Sequence, residues 1–199
     1  MELKEEYDLL KAKIVERKTD FKTFVEMLET KTNWLTSPAS TRFHLNVEEG
    51  LLKHSVAVAE NLLKFRDLLA REISEESCVI VGLLHDVGKV GMPGKPLYLK
   101  NDNEWEIRNR NITYKINPDL TQMSLAARSL YLVSKYIPLS DSEAQAILYH
   151  DGQYSNDNRC VAHKEEPLTL LVHWADYWTA HIHEEGRKLG IDDSYYRKG

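Results

Sequence analysis

Gly82-Leu83-Leu84-His85-Asp86-Val87-Gly88-Lys89 closes a run in which Val79, Ile80, Val81, Leu83 and Leu84 are apolar nearly all round. A helical stretch without a polar face belongs in a core. Ser74, followed by Glu75 and Glu76, supplies a start for this helix, and Gly88, Gly91, Pro93 and Gly94 supply its end. Two strong metal-ligand types, His85 and Asp86, therefore stand side by side where the chain is otherwise burying itself. A carboxylate taken out of water loses several kcal/mol of hydration, and a divalent cation is one of the few partners that offsets it.

The dipeptide alone decides little, since a second one, His150-Asp151, occurs further on, and such pairs are more often caps or surface ion pairs. Two other residues add weight. A long helix is expected over 47–70, with Leu51, Val58, Leu62, Phe65 and Leu69 on one stripe and His54 at its edge. A last helix, expected over 167–185 with Pro167 in its first turn, reads as apolar nearly all round and carries Asp176 within Trp174-Ala175-Asp176-Tyr177-Trp178. A single histidine on an apolar face is more often a hydrogen-bonded core residue than a ligand. Three buried helices that each bring a ligand converge on one point in a bundle core, as metal-binding bundles do.

Outward from these helices, apolar residues at helical spacing predict two helices over 3–30, broken at Thr19-Asp20. The stretch 36–41, with Pro38 among hydroxyl residues, reads as a loop. Alternation in Trp105 and Ile107, then in Ile112, Tyr114 and Ile116, predicts a hairpin within 97–117 that turns at Asn109-Arg110-Asn111. Helices are expected again over 121–136 and 140–149. The fold class is all-α: a helical bundle with one small inserted β-hairpin, one domain over 1–199, with 1–37 as an N-terminal helical segment and 42–185 as the ligand-bearing core.

The 199 residues suffice for one domain with its own core. A net charge of -5 argues against an extended nucleic-acid partner, which needs many basic contacts, but leaves room for a small phosphorylated one. No apolar run approaches the roughly 20 residues of a membrane span, and the acidic start lacks the order of a signal peptide, so a cytoplasmic location is expected. Cys78 and Cys160 fit neither a disulfide framework nor a zinc-pair spacing.

The order His54, His85-Asp86, Asp176 resembles the H…HD…D signature of the HD superfamily. Gly50-Leu51-Leu52-Lys53-His54-Ser55 is similar to the family's first ligand segment, Gly82 to Lys89 to its central helix, and Ala175-Asp176 with Ala180 to its last. The resemblance spans roughly 42–185. It implies an all-α fold and hydrolysis of a phosphoester or phosphoanhydride, with one divalent ion held by His54, His85, Asp86 and Asp176. Mixed nitrogen and oxygen donors suit Mn, Fe, Co, Ni or Mg better than a closed zinc site.

The resemblance also gives Asp86 a part in accepting a proton from water. Lys89 and Arg128 are candidates to meet phosphate oxygens. His150 stands where many members carry a further histidine, for a second metal or for the phosphate. Against a second metal stands Leu125, since Ser124-Leu125-Ala126-Ala127-Arg128-Ser129 aligns with a Gly-His-Gly-Glu-Lys-Ser pattern of relatives and lacks its histidine.

His44, Arg42 and Lys53 flank the first ligand, His173 precedes Asp176 by one helical turn, and His163, His181 and His183 read as surface residues. Tyr149-His150-Asp151-Gly152-Gln153-Tyr154 lacks the start and end of the cyclic-di-GMP phosphodiesterase motif, so that branch is rejected. The expected partner is a small phosphorylated substrate, a nucleotide foremost. A homodimer through the N-terminal pair stays open. The alternatives are a regulatory module whose 97–117 segment binds a partner, and an iron oxygenase of the same fold.

Overall fold

The centre of the molecule is the crossing of α3 (Gly50–Leu69) and α4 (Glu75–Leu84). The computed structural model describes residues 2–43 and 45–184. Leu51, Val58 and Leu62 of α3 meet Val79, Ile80 and Leu83 of α4 with no solvent exposure. Gly82 sets how close the two helices come, because a Cβ there would lie 2.6 Å from the Ala59 Cα. Ser74 caps α4 by accepting from the Ser77 N–H at 3.0 Å. After Leu84 the chain passes through His85 and Asp86 into a 3-10 turn, Val87–Val90.

Two N-terminal helices, α1 (Leu3–Ala12) and α2 (Lys18–Lys31), join the same buried cluster through Tyr7, Phe21 and Phe24, beside Trp34 of the following turn. The break between them lies at 13–17 and not at Thr19-Asp20. Glu76 explains the difference, since its carboxylate accepts the N–H groups of Val15, Glu16 and Arg17 and so fixes the turn there. Asp20 instead sits in the first turn of α2, where its charge favours the helix dipole.

The inserted element differs from the expected hairpin. β1 (Tyr98–Lys100) pairs antiparallel with β2 (Tyr114–Ile116), Leu99 opposite Lys115. Trp105 and Ile107, expected in the first strand, lie in a short helix, α5 (Glu104–Arg110), capped by the Asn103 side chain. A polar-flanked pair of apolar residues fits either period over so few positions, and the cap decides it.

Three helices complete the bundle: α6 (Leu125–Ser134), α7 (Asp141–Tyr149) and α8 (Pro167–Trp178), the last continuing into a π-helical segment, Thr179–Glu184. α6 begins four residues later than expected because Ser124 is its cap. The expectation that α8 is buried all round is corrected, since Leu170, Trp174, Tyr177 and Trp178 form an outward stripe, Trp174 being 47% exposed. Among the described residues, no helix is long and apolar enough to cross a membrane.

Candidate metal centre

Each histidine at the centre is set by the helix end that carries it. His85 is the residue after α4, and its Nδ1–H donates to the Gly82 carbonyl one turn back, at 2.9 Å. His150 repeats the arrangement after α7, donating from Nδ1 to the Ile147 carbonyl at 2.9 Å. His54, in the second turn of α3, donates from Nδ1 to Glu184 Oε1 at 2.8 Å. All three rings are buried. With Nδ1 engaged as a donor, each neutral imidazole presents its lone pair at Nε2, the geometry in which an outer acceptor orients a metal-ligating histidine.

These Nε2 atoms gather around two carboxylates. His54 Nε2 lies 3.1 Å from Asp176 Oδ1 and 3.7 Å from Asp86 Oδ2. His85 Nε2 is 3.7 Å from Asp86 Oδ2, and His150 Nε2 is 3.6 Å from Asp86 Oδ1. The ring of His85 stands edge-on to that of His150, centroids 4.8 Å apart. Ligand atoms of His54, His85 and Asp176 fall within 4.8 Å of one another, and so do those of His85, Asp86 and His150, and of His150, Asp151 and Asp176. The four residues expected as ligands therefore come together from α3, α4 and α8, and His150 joins them from α7.

The electrostatics are those of a site short of positive charge. Burial disfavours the imidazolium of His54, yet hydrogen bonds to Asp176 and Glu184 override it and raise its pKa to about 10. His150 is likewise held up at about 9 by Asp86 against the effect of burial. His85, with burial unopposed to the same degree, is pushed down to about 4 and stays neutral. Burial works against both carboxylates as anions, but Lys89 and His150 keep Asp86 ionised and His54 does the same for Asp176. Among the described residues, His85 Nε2 is buried with no hydrogen-bond partner. An orphaned imidazole lone pair beside two carboxylates is costly unless something electrophilic takes it up, and a cation fits.

A cavity of about 420 Å³ opens on this cluster, walled by Lys89, Leu125, Asp151, His173, Tyr177 and His181 besides the carboxylates. Lys89 Nζ lies 2.6 Å from Asp86 Oδ2. His173 donates from Nδ1 to the His150 carbonyl at 2.8 Å, which ties α8 to the end of α7. Gly152 is needed at that contact, since its φ is +62° and a Cβ would fall 2.4 Å from the His173 ring.

Other candidates lie elsewhere. Lys53 is exposed and pairs with Glu49, and Arg42 lies over the Phe43 ring. His44 lies outside the described residues. Arg128 is buried behind Leu125 and lines a separate cavity. His163 and His183 are at the surface as expected, whereas His181 is a correction, because the π-helical turn carries it to the cavity wall. Glu184 and Asp151 were not singled out by the sequence. The one signal for Glu184 is an acidic residue about two turns beyond Asp176.

The family model for the HD domain matches residues 51–180. No curated protein and no solved structure matches the chain. The match runs from α3 to the start of the π-helical segment, the span that supplies His54, His85, Asp86, His150 and Asp176, and the chain belongs to the HD-domain family, a superfamily of metal-dependent hydrolases.

Proposed function

We propose that the protein is a metal-dependent phosphohydrolase that cleaves a small phosphorylated substrate, a nucleotide foremost, with one divalent ion held by His54, His85, Asp86 and Asp176. The observation that carries this reading is the triple arrangement of Nδ1 donors, which turns three buried Nε2 atoms toward one carboxylate-lined point. Mn, Fe, Co, Ni and Mg all suit the donor set. A bound ion in such a site lowers the pKa of water and neutralises charge on a phosphoryl group.

The chain's own residues supply the rest. Asp86 holds Lys89 at the cavity wall, so an ammonium stands beside the place where phosphate charge is to be received. Its other oxygen faces His150, and this imidazole, already inclined to hold a proton, is positioned to give one to a leaving oxygen. Glu184 keeps the His54 ring in the tautomer that coordinates. Leu125, Tyr177 and Ala180 give the cavity apolar walls that limit water at the reacting group.

Elemental analysis of the purified protein, followed by phosphate release from a nucleotide panel with Mn, Co, Ni and Mg, tests this. One equivalent of metal and turnover lost in Asp86→Ala support the reading. Two equivalents would bring in His150, Asp151 and Asp176 as a second group. Metal bound at full occupancy without turnover on any phosphoester would leave a regulatory module, and the absence of bound metal would sink the proposal.

A further inference from the structure

Arg128, in α6, is only 3% exposed. Its Nη1 donates to the Gly88 carbonyl at 3.4 Å and its Nη2 to the Thr121 carbonyl at 3.1 Å, while Nε–H is buried with no hydrogen-bond partner among the described residues. Burial lowers its pKa, and the group acting on it beside burial is the Tyr98 phenol, not a carboxylate. Arg17, which is less buried, is by contrast gripped by Glu76 and Glu143. A guanidinium is almost never buried without an anion, because desolvation of an unpaired charge is costly.

The space next to Arg128 has the character that missing anion would need. It is a cavity of about 190 Å³ walled by Tyr98, Asn117, Thr121, Gln122 and Leu125, and no acidic residue lines it. Its size is below the roughly 300 Å³ at which pockets take a whole drug-sized ligand, so it suits a single group. Leu125 also walls the cavity of the metal centre, so the two spaces share that side chain. Tyr98 lies between them electrically, since it feels Lys89 and Asp86 on one side and Arg128 on the other.

We infer that this cavity is an oxyanion subsite whose cation is the Arg128 guanidinium, and that it takes a second phosphate group of the substrate while the reacting phosphate lies at the metal centre. The subsite stands without the hydrolase reading. Its use for a substrate with two phosphates rests on that reading.

Inorganic phosphate titrated into metal-stripped protein, followed by the arginine Nε–H signals and by calorimetry, separates the two. One Nε–H signal, absent in Arg128→Gln, is expected to shift on titration. Gln122 is exposed and lines the cavity, so Gln122→Glu should place a carboxylate against Arg128 and weaken phosphate binding by about tenfold or more. Asp176→Asn, at the metal centre, should leave that affinity within about twofold.

No shift of the Arg128 signal, or equal phosphate affinity in wild type and Gln122→Glu, overturns the subsite. If Arg128→Gln does not fold, Gln122→Glu decides. With metal restored, Gln122→Glu should raise KM for nucleoside diphosphates and not for monophosphates; an equal change for both overturns the second-phosphate assignment. Phosphate binding that persists while no phosphoester is turned over counts against the hydrolase reading and leaves the subsite intact.

Discussion

α4 carries a buried carboxylate near each end, and the protein treats the two in opposite ways. Glu76, in the first turn, accepts the N–H groups of Val15, Glu16 and Arg17 at 2.7 to 3.1 Å and the Arg17 Nε–H at 2.8 Å. The same guanidinium spans to Glu143 with two bonds of 2.7 Å. Asp86, just past the other end, meets Lys89 at 2.6 Å and otherwise only imidazole nitrogens at 3.6 to 3.7 Å. The first cluster is closed by donors of fixed orientation. The second is built from imidazole nitrogens and carboxylate oxygens facing one another at longer range, which is how a protein leaves room for an exchangeable partner.

The largest expected effect breaks the open cluster outright. Asp86→Ala should abolish both metal retention and turnover, because the carboxylate faces all three imidazoles. Its metal-free fold should also lose stability, since Lys89 and His150 would be left buried without the carboxylate that compensates them. Elemental analysis and chemical denaturation on the same preparation measure the two sides. Metal retained at full occupancy in the variant would remove Asp86 from the ligand set.

The closed cluster should answer in stability alone. Arg17→Met leaves Glu76 and Glu143 without their cation and should cost roughly 3 kcal/mol of stability, at the low end for a broken buried pair because Arg17 is partly exposed. Metal affinity should be unchanged. A denaturation midpoint like that of wild type would show the network to be incidental to the fold.

The difference between the two clusters also explains what the sequence could reveal. His54, His85, Asp86 and Asp176 stood out because each interrupts an apolar helix, and burial without an explanation is legible from composition alone. The Arg17 network was not, since Arg17, Glu76 and Glu143 are ordinary charges in ordinary helix-end positions until the fold brings them together. His150 was seen as a second-tier residue, yet its nearness to Asp86 depends on how α7 ends against α4, which spacing along the chain does not give. Glu184 escaped because the π-helical turn shifts the register of everything after Trp178. Arg128 was recognised as a cation, but not as a buried one, since Leu125 and the segment before Ser124 close over it only in three dimensions.

Acidity separates the clusters again. His54 and His150, with pKa values raised to about 10 and about 9, hold protons at neutral pH, and a metal ion must displace the one on the ligand His54. Metal affinity should therefore rise with pH by about tenfold per unit for each proton displaced, up to about pH 9. In the metal-free protein the sign is reversed. A histidine with a raised folded-state pKa contributes stability that is whole below its unfolded value of about 6.5 and is lost as pH climbs through the folded value. His85, neutral down to about 4, adds nothing in this window. Calorimetry of metal binding in buffers of different ionisation enthalpy counts the protons, and a count of zero at pH 7 would contradict the protonation of His54.

The smallest effect probes orientation alone. Glu184→Gln keeps an oxygen that can accept from His54 Nδ1–H but gives up the charge, whereas Glu184→Ala removes the acceptor. If Glu184 acts by fixing the ring and its tautomer, the glutamine variant should bind metal within a few-fold of wild type while the alanine variant loses about tenfold, the lower end for an outer partner of a ligand histidine. If its charge is what matters, both variants should lose affinity together. Competition for metal against a fluorescent chelator reads this without turnover. The closed cluster offers the control, because Glu143→Gln should lower stability and leave the metal affinity where it was.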